Sequence, residues 1–87
     1  RANLPATLTS DRGEAKVRVT SISPNSVKIE PTYDADPGLQ VSLDIQGFRE
    51  TLQARVAGSE HGATSLIFPL TPDHLDKVRR EIHRAGV

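Results

Sequence analysis

The chain contains no cysteine, methionine or tryptophan, and its only aromatic residues are Tyr33, Phe48 and Phe68. Without cysteine it can form neither a disulfide framework nor a site that depends on a thiolate. With so few aromatics, its core has to be built from Val, Ile, Leu and Ala. At 87 residues the chain is long enough for one domain, 1–87, and we expect this domain to be a fragment of a longer protein.

Neither sign of charge predominates, because Lys plus Arg and Asp plus Glu number 11 each. A general nucleic-acid-binding domain normally has a basic excess, and a barrel for single strands would also need more stacking aromatics. A small anionic ligand is still compatible, because two or three arginines are enough to bind it. No apolar run approaches the roughly 18 residues that span a bilayer, and no signal peptide is visible, so we expect no direct membrane insertion.

Five short segments alternate apolar and polar residues with the period of two that is typical of half-buried strands. They are centred on Leu4–Leu8, Val17–Val19, Val27–Ile29, Leu39–Ile45 and Leu52–Val56. A sixth strand is predicted over Ser65–Phe68, whose denser apolar content is expected of a strand covered on both faces. Turn-forming residues separate them, as in the Ser-Asp-Arg-Gly sequence at 10–13, the Pro- and Gly-containing 31–38, Gly47, and the sequence GSEHGA at 58–63. This spacing predicts a small antiparallel barrel or sandwich. In a barrel of this size aliphatic side chains fill the interior, so functional residues are expected on its rim or outer face.

The last segment has the period of a helix. Its predicted apolar stripe consists of Leu75, Val78, Ile82 and Ala85. Thr71 is suited to the N-cap, Pro72 to the first helical position and Gly86 to the C-terminal cap. Leu70 and Leu75 occupy the positions of a hydrophobic staple. We predict one C-terminal helix that buries this stripe against one end or side of the barrel.

The segment Ser21–Ser26, with the sequence SISPNS, connects the second and third predicted strands. Its serines, asparagine and proline are common in any turn. The same hydroxyl and amide groups can also hydrogen-bond a ligand. Arg18 and Lys28 flank this segment, so they are the first cations to test.

In this order, the features of the chain resemble the PilZ domain, a bacterial receptor module for cyclic di-GMP. The resemblance is carried by a strand that begins Leu-Pro-Ala-Thr-Leu, a hairpin at Asp-Arg-Gly, the SISPNS segment, a loop ending in Pro-Gly, the strand Val-Ser-Leu-Asp-Ile, a strand ending in Arg-Val, and Phe-Pro-Leu-Thr before a helix. It covers almost the whole chain and extends in particular to the PilZ segment of bacterial cellulose synthases. It implies a mainly β fold, a six-stranded antiparallel barrel with one C-terminal α-helix.

PilZ domains bind the nucleotide through Arg-x-x-x-Arg before the first strand and Asp/Asn-x-Ser-x-x-Gly between the second and third strands. Arginine can bind a phosphate or a guanine edge, or stack on the base. By this resemblance Ser23 matches the serine of the second motif, while Ser21 replaces its Asp or Asn and Ser26 its Gly, with the Asn25 amide nearby. Arg1 stands in for the first motif, whose second arginine would fall just before it. The predicted ligand-binding residues are thus Ser21, Ser23, Asn25, Ser26, Arg18 and Arg1.

The resemblance implies a non-enzymatic regulatory module that binds cyclic di-GMP, needs no cofactor, and controls a neighbouring domain or partner protein. If it regulates a glycosyltransferase, its output would be exopolysaccharide or cellulose synthesis. The resemblance also implies that it lies in the cytoplasm or on the cytosolic side of an inner-membrane protein. The alternative is a degenerate PilZ domain that binds no nucleotide and acts in protein interaction or oligomerisation. No acid–base pair, nucleophile or metal cluster has a usable spacing, which disfavours an enzyme.

Overall fold

A computed structural model describes residues 3–86 of the chain. It contains six strands and one helix, namely β1 (Leu4–Ser10), β2 (Gly13–Ile22), β3 (Ser26–Glu30), β4 (Gln40–Ile45), β5 (Leu52–Glu60), β6 (Ala63–Ile67) and α1 (Pro72–Ala85). Neighbouring strands are antiparallel, and the sheet closes into a barrel in the order β1-β2-β3-β6-β5-β4. The predicted fold class, a mainly β six-stranded antiparallel barrel with a C-terminal helix, is confirmed.

The barrel interior is aliphatic, as the shortage of aromatic residues requires. Each strand contributes at least one completely buried aliphatic side chain, and these include Leu8, Val19, Ile29, Leu43, Leu52 and Leu66. Burying one such side chain stabilises the fold by about 1.5–3 kcal/mol. Phe68, just beyond β6, is the one fully buried aromatic residue among those described. No helix in the described part of the chain is both long enough and apolar enough to cross a membrane.

Strand β5 ends later, and strand β6 begins earlier, than the sequence pattern predicted. β5 continues to Glu60 and β6 begins at Ala63, so the turn predicted over 58–63 contains only His61 and Gly62. Both residues have positive φ, at 53° and 79°, as a two-residue hairpin turn with matching twist requires. The strand extends because residues 58–60 find hydrogen-bonding partners on β6, and this pairing overrides their low strand propensity.

The alternating strand directions place three chain segments at each end of the barrel. The loop end consists of the β1–β2 turn (11–12), the β3–β4 loop (31–39) and the β5–β6 turn (61–62). The helix end consists of the β2–β3 turn (23–25), the β4–β5 loop (46–51), and the segment 68–71 that leads into α1.

The β3–β4 loop closes the loop end and is attached there by hydrogen bonds. The backbone N–H of Tyr33 donates to Thr64 Oγ1 at 2.8 Å, and the Tyr33 hydroxyl lies 2.9 Å from Ser10 Oγ. Thr64 is completely buried, and Ala35 and Leu39 pack against the core beside it. Hydrogen bonds and apolar packing therefore hold the β3–β4 loop in place across this end of the barrel.

Helix α1 closes the helix end, and its predicted caps are confirmed. Thr71 Oγ1 accepts a hydrogen bond from the backbone N–H of His74 at 3.3 Å. Gly86 adopts the left-handed conformation, with φ of 74°, and its N–H bonds to carbonyls of the last helical turn. Leu70 is 64% exposed, however, so the predicted hydrophobic staple buries little of it.

The buried face of α1 differs from the predicted stripe. Val78 is completely buried, whereas the other three stripe residues, Leu75, Ile82 and Ala85, are only half-buried. The polar residues His74 and Glu81 are buried instead. The helix is rotated in this way because it packs across loops at the end of the barrel, where Glu81 accepts a hydrogen bond from the backbone N–H of Arg49.

Candidate functional site

The connection between β2 and β3 is shorter than the six-residue turn predicted from the sequence. Ser21 belongs to β2 and Ser26 to β3, so only residues 23–25 make the turn. The cause is a β-bulge in β2 between Val19 and Ser21, after which the strand continues to pair with β3. Ser21, Ser23, Asn25 and Ser26 are nonetheless all exposed, and the fold brings them together at the helix end.

The Ser23 hydroxyl is directed towards the backbone of its own turn. Its oxygen accepts from the N–H groups of Asn25 and Ser26 at 3.4 and 3.3 Å. The backbone N–H of Ser23 closes the turn by donating to the Ser26 carbonyl at 2.9 Å. The two bonds to the hydroxyl are long and therefore weak, so they orient the hydroxyl without requiring much energy to displace.

The turn is joined to the segment that leads into α1. The backbone N–H of Phe68 donates to the Asn25 carbonyl at 3.0 Å. Phe68 is completely buried, so this bond attaches an exposed turn to a rigid part of the core. Only 69 and 70 then separate Phe68 from the N-cap residue Thr71, so the start of the helix lies close to the turn in space.

Two cations were predicted to flank the turn, and the structure separates them. Lys28 lies directly opposite Ser21 in the β2–β3 pair and is exposed. Arg18 lies farther from the turn, opposite Glu30, and its guanidinium donates to Asn3 Oδ1 at 2.9 Å. Lys28 is therefore the cation next to the turn. Arg1 lies outside the described residues.

A row of outward-facing residues crosses the barrel beside the turn, and the sequence did not suggest it. Ser26 of β3 pairs with Ile67 of β6, Ile67 with Arg55 of β5, and Arg55 with Gln40 of β4. We call these four residues the outer row. Next to it is a depression of about 390 Å³ that the side chains of Arg55, Ile67 and Leu70 help to line. The sequence indicated only one feature of the outer row, namely that Arg55 faces outward in an alternating strand.

Glu81 organises the polar contacts between the helix and the β4–β5 loop. One of its oxygens accepts from the backbone N–H of Arg49 at 2.5 Å and from the guanidinium of Arg84 at 3.0 Å. Arg84 also donates to the Gly47 carbonyl at 2.7 Å, so this arginine is not part of a free helix face. The Arg84 hydrogen bond holds the pKa of Glu81 below its ordinary value, although burial acts in the opposite direction.

His74 is buried between α1 and the end of β6, with its ring 5.6 Å from the ring of Phe68. Neither ring nitrogen has a hydrogen-bond partner among residues 3–86. Burial lowers the pKa of His74 below the usual 6.5, and the charge of Lys77 lowers it further. The neutral imidazole therefore acts as a packing residue at neutral pH.

Within residues 3–86, no three His, Cys, Asp or Glu side chains are arranged so that they could hold a metal ion. The polar groups of the helix end instead suit an uncharged or anionic ligand, with hydroxyls, an amide and cations on an exposed surface. No protein-family model matches the chain, and no curated protein matches it. The function has to be argued from the barrel, the β2–β3 turn and the outer row.

Proposed function

We propose that this chain is a PilZ-type regulatory module that binds cyclic di-GMP and controls a neighbouring domain or partner protein. The observation that supports this most directly is the exposed β2–β3 turn, where serines, Asn25 and Lys28 meet on the surface at the helix end. Cyclic di-GMP carries two phosphates and two guanines. A lysine can bind a phosphate, while hydroxyl and amide groups can bind guanine edges.

A route for regulation follows from the bond between Phe68 and the Asn25 carbonyl. A ligand that orders the β2–β3 turn also acts on the segment 68–71, and through it on the start of α1. Binding would thus change the position or stability of the helix end, and a neighbouring domain that contacts this end would respond. The module itself performs no chemistry. Where it regulates a glycan synthase on the cytoplasmic side of a membrane, its output is polymer synthesis.

The test is an isothermal titration of cyclic di-GMP into the complete natural protein. We expect saturable heat in the wild type and an affinity about tenfold lower in Lys28→Gln, since one charge-assisted hydrogen bond is worth about 1.5–3 kcal/mol. Lys16→Gln is the matched control, because Lys16 is also an exposed strand lysine but points towards Thr7 on β1. Absence of both heat and any rise in melting temperature contradicts the proposal.

Two observations favour a second candidate, a degenerate PilZ-type domain that binds no nucleotide and acts in protein interaction or oligomerisation. Ser26 occupies the glycine position of the motif but lies in β3, without the positive φ that a glycine would provide there. Leu70 is the one large hydrophobic side chain of the described residues that is strongly exposed. For this candidate, Leu70→Ser should lower the mass measured by analytical ultracentrifugation. A monomer that is unchanged by the substitution contradicts it.

A further inference from the structure

Arg55 differs from Arg18, the other arginine on a described strand, because its guanidinium has no partner among the described residues. Arg12 donates to the Asp34 carbonyl at 2.6 Å, and Arg18 to Asn3. Within residues 3–86, the Arg55 guanidinium makes neither a hydrogen bond nor an ion pair, although it stands on a rigid strand in the middle of the outer row. A guanidinium held in this way is available for an anionic group from outside the chain.

The outer row connects Arg55 to the β2–β3 turn. Arg55 and Ser26 are separated by a single strand position, Ile67, and adjacent strands lie about 4.8 Å apart. Their backbones are therefore about 10 Å apart across the sheet, which one bound nucleotide can span. Lys28, two residues from Ser26 on the same face of β3, adds a second cation within this area.

Two apolar side chains lie on the surface next to Arg55. Ile67 is half-buried on the outer face, and Leu70 is 64% exposed beside it. Both border the depression of about 390 Å³ next to Arg55, and none of the described residues that line it carries a carboxylate. Its volume is within the range of about 300–1,000 Å³ that is usual for small-molecule sites. An aliphatic floor with a guanidinium at its edge suits a flat base that carries a phosphate, since the base covers the floor and the phosphate meets the cation.

We propose that Arg55 binds a phosphate of a purine nucleotide, whose base lies against Ile67 and Leu70. This inference rests on the proposed function and extends it. It identifies Arg55 on β5 as a phosphate-binding residue, so the bound ligand extends from the β2–β3 turn across β6 to β5. In this arrangement Lys28 and Arg55 each face one phosphate of cyclic di-GMP. Arg55 contributes both a forked pair of hydrogen bonds and a charge, so lysine at this position replaces it only in part.

The test is a titration of cyclic di-GMP, and separately of GMP and inorganic phosphate, into the complete protein and its Arg55→Gln and Arg55→Lys variants. We expect Arg55→Gln to lower the affinity for cyclic di-GMP at least about tenfold, and Arg55→Lys to lower it by less. Arg80→Gln is the matched control, an exposed arginine on α1 away from the outer row, and should bind like the wild type. Amide chemical shifts of residues 55, 67 and 70 should move on addition of cyclic di-GMP.

The outcomes separate the two proposals. If Lys28→Gln lowers the affinity for cyclic di-GMP and Arg55→Gln does not, the turn binds the nucleotide and the inference about Arg55 is wrong. If GMP binds, Arg55→Gln weakens it, and cyclic di-GMP does not bind, the Arg55 site stands and the proposed function fails. Wild-type protein that binds neither nucleotide overturns both. Melting temperatures of the variants near that of the wild type show that lost binding is not lost folding.

Discussion

The two ends of the barrel are closed by different chemistry. At the loop end, Thr64 is completely buried and its hydroxyl bonds to the backbone of Tyr33 and to Ser59. At the helix end, Glu81 is hydrogen-bonded to Arg49 and Arg84. The two ring nitrogens of His74, which is also buried, have no hydrogen-bond partner among the described residues. At the loop end the buried polar group is satisfied, whereas the helix end buries an imidazole that has no partner among the described residues.

This difference indicates which end is suited to change. A buried polar group that lacks a partner costs free energy, so His74 makes the helix end easier to open than a fully apolar contact would. Among residues 3–86, no buried polar side chain at the loop end lacks a hydrogen-bond partner. The β2–β3 turn belongs to the helix end, and Ser26 and Ile67 of the outer row lie next to it, so the proposed ligand site begins at the less firmly closed end.

The largest expected effect is at the centre of the helix end. Phe68→Ala should destabilise the fold by about 3–4 kcal/mol, because a completely buried phenyl ring leaves a cavity under α1. Phe48→Ala, at a half-buried ring in the β4–β5 loop, is the control and should cost clearly less. Urea denaturation followed by circular dichroism measures both, and Phe68→Leu replaces the alanine variant if the latter does not fold. Equal losses for the two positions would show that the apolar centre of this end is elsewhere.

Removing the ion pair tests the polar contacts of the same end. Glu81→Ala should cost about 2–3 kcal/mol, since the Arg49 N–H and the Arg84 guanidinium both lose their acceptor. Glu81→Gln retains an acceptor oxygen and should cost about 1 kcal/mol. Both values come from urea denaturation at pH 7. An alanine variant as stable as the glutamine variant would mean that water satisfies the Arg49 N–H.

Thr64→Val tests the loop end. The substitution preserves the shape of the side chain but leaves the Tyr33 N–H without its acceptor, so we expect a loss of about 1–2 kcal/mol. Thr7→Val is the control, because the Thr7 hydroxyl bonds only to the exposed Lys16 ammonium, and it should change stability by less than about 0.5 kcal/mol. Hydrogen exchange at Tyr33 should become faster in Thr64→Val alone. Unchanged exchange there would show that the hydroxyl does not hold the loop.

The smallest effect is a pH dependence specific to the helix end. Because the folded chain lowers the pKa of His74 below 6.5, the unfolded chain takes up the proton first as the pH falls. The stabilisation by the neutral imidazole is complete above pH 6.5 and is lost as the pH falls through the pKa of the folded state. The corresponding loss for Glu81, whose pKa is also lowered, begins only below its ordinary value of 4.5.

Thermal unfolding between pH 7 and pH 5 measures this dependence. His74→Leu should flatten the profile in this window, whereas His83→Gln, at an exposed position on α1, should retain it. A profile that keeps its slope in His74→Leu would show that another group titrates with folding.

Much of the secondary structure could be predicted because strand alternation and helix caps are local signals. The prediction failed where bulges interrupt the alternation, after Val19 in β2 and after Val56 in β5. Each bulge adds a residue that shifts the in–out pattern, so a strict period of two ends too early there. The rotation of α1 was missed for another reason. Its buried face includes Glu81, whose partner Arg49 lies 32 positions away in the chain.

Part of the candidate site could likewise be predicted from the sequence, and part could not. Ser21, Ser23, Asn25 and Ser26 are neighbours in the chain, so their proximity could be predicted. Arg55 reaches Ser26 only through Ile67, by way of two strand pairings.

Period and capping depend on residues a few positions apart, so local patterns specify which segments become strands or helix and which side of each is apolar. Which strands are neighbours, how the barrel closes and which polar residues α1 buries are settled only when the whole chain folds. Those outcomes depend on register and packing between distant segments, and no local pattern specifies them.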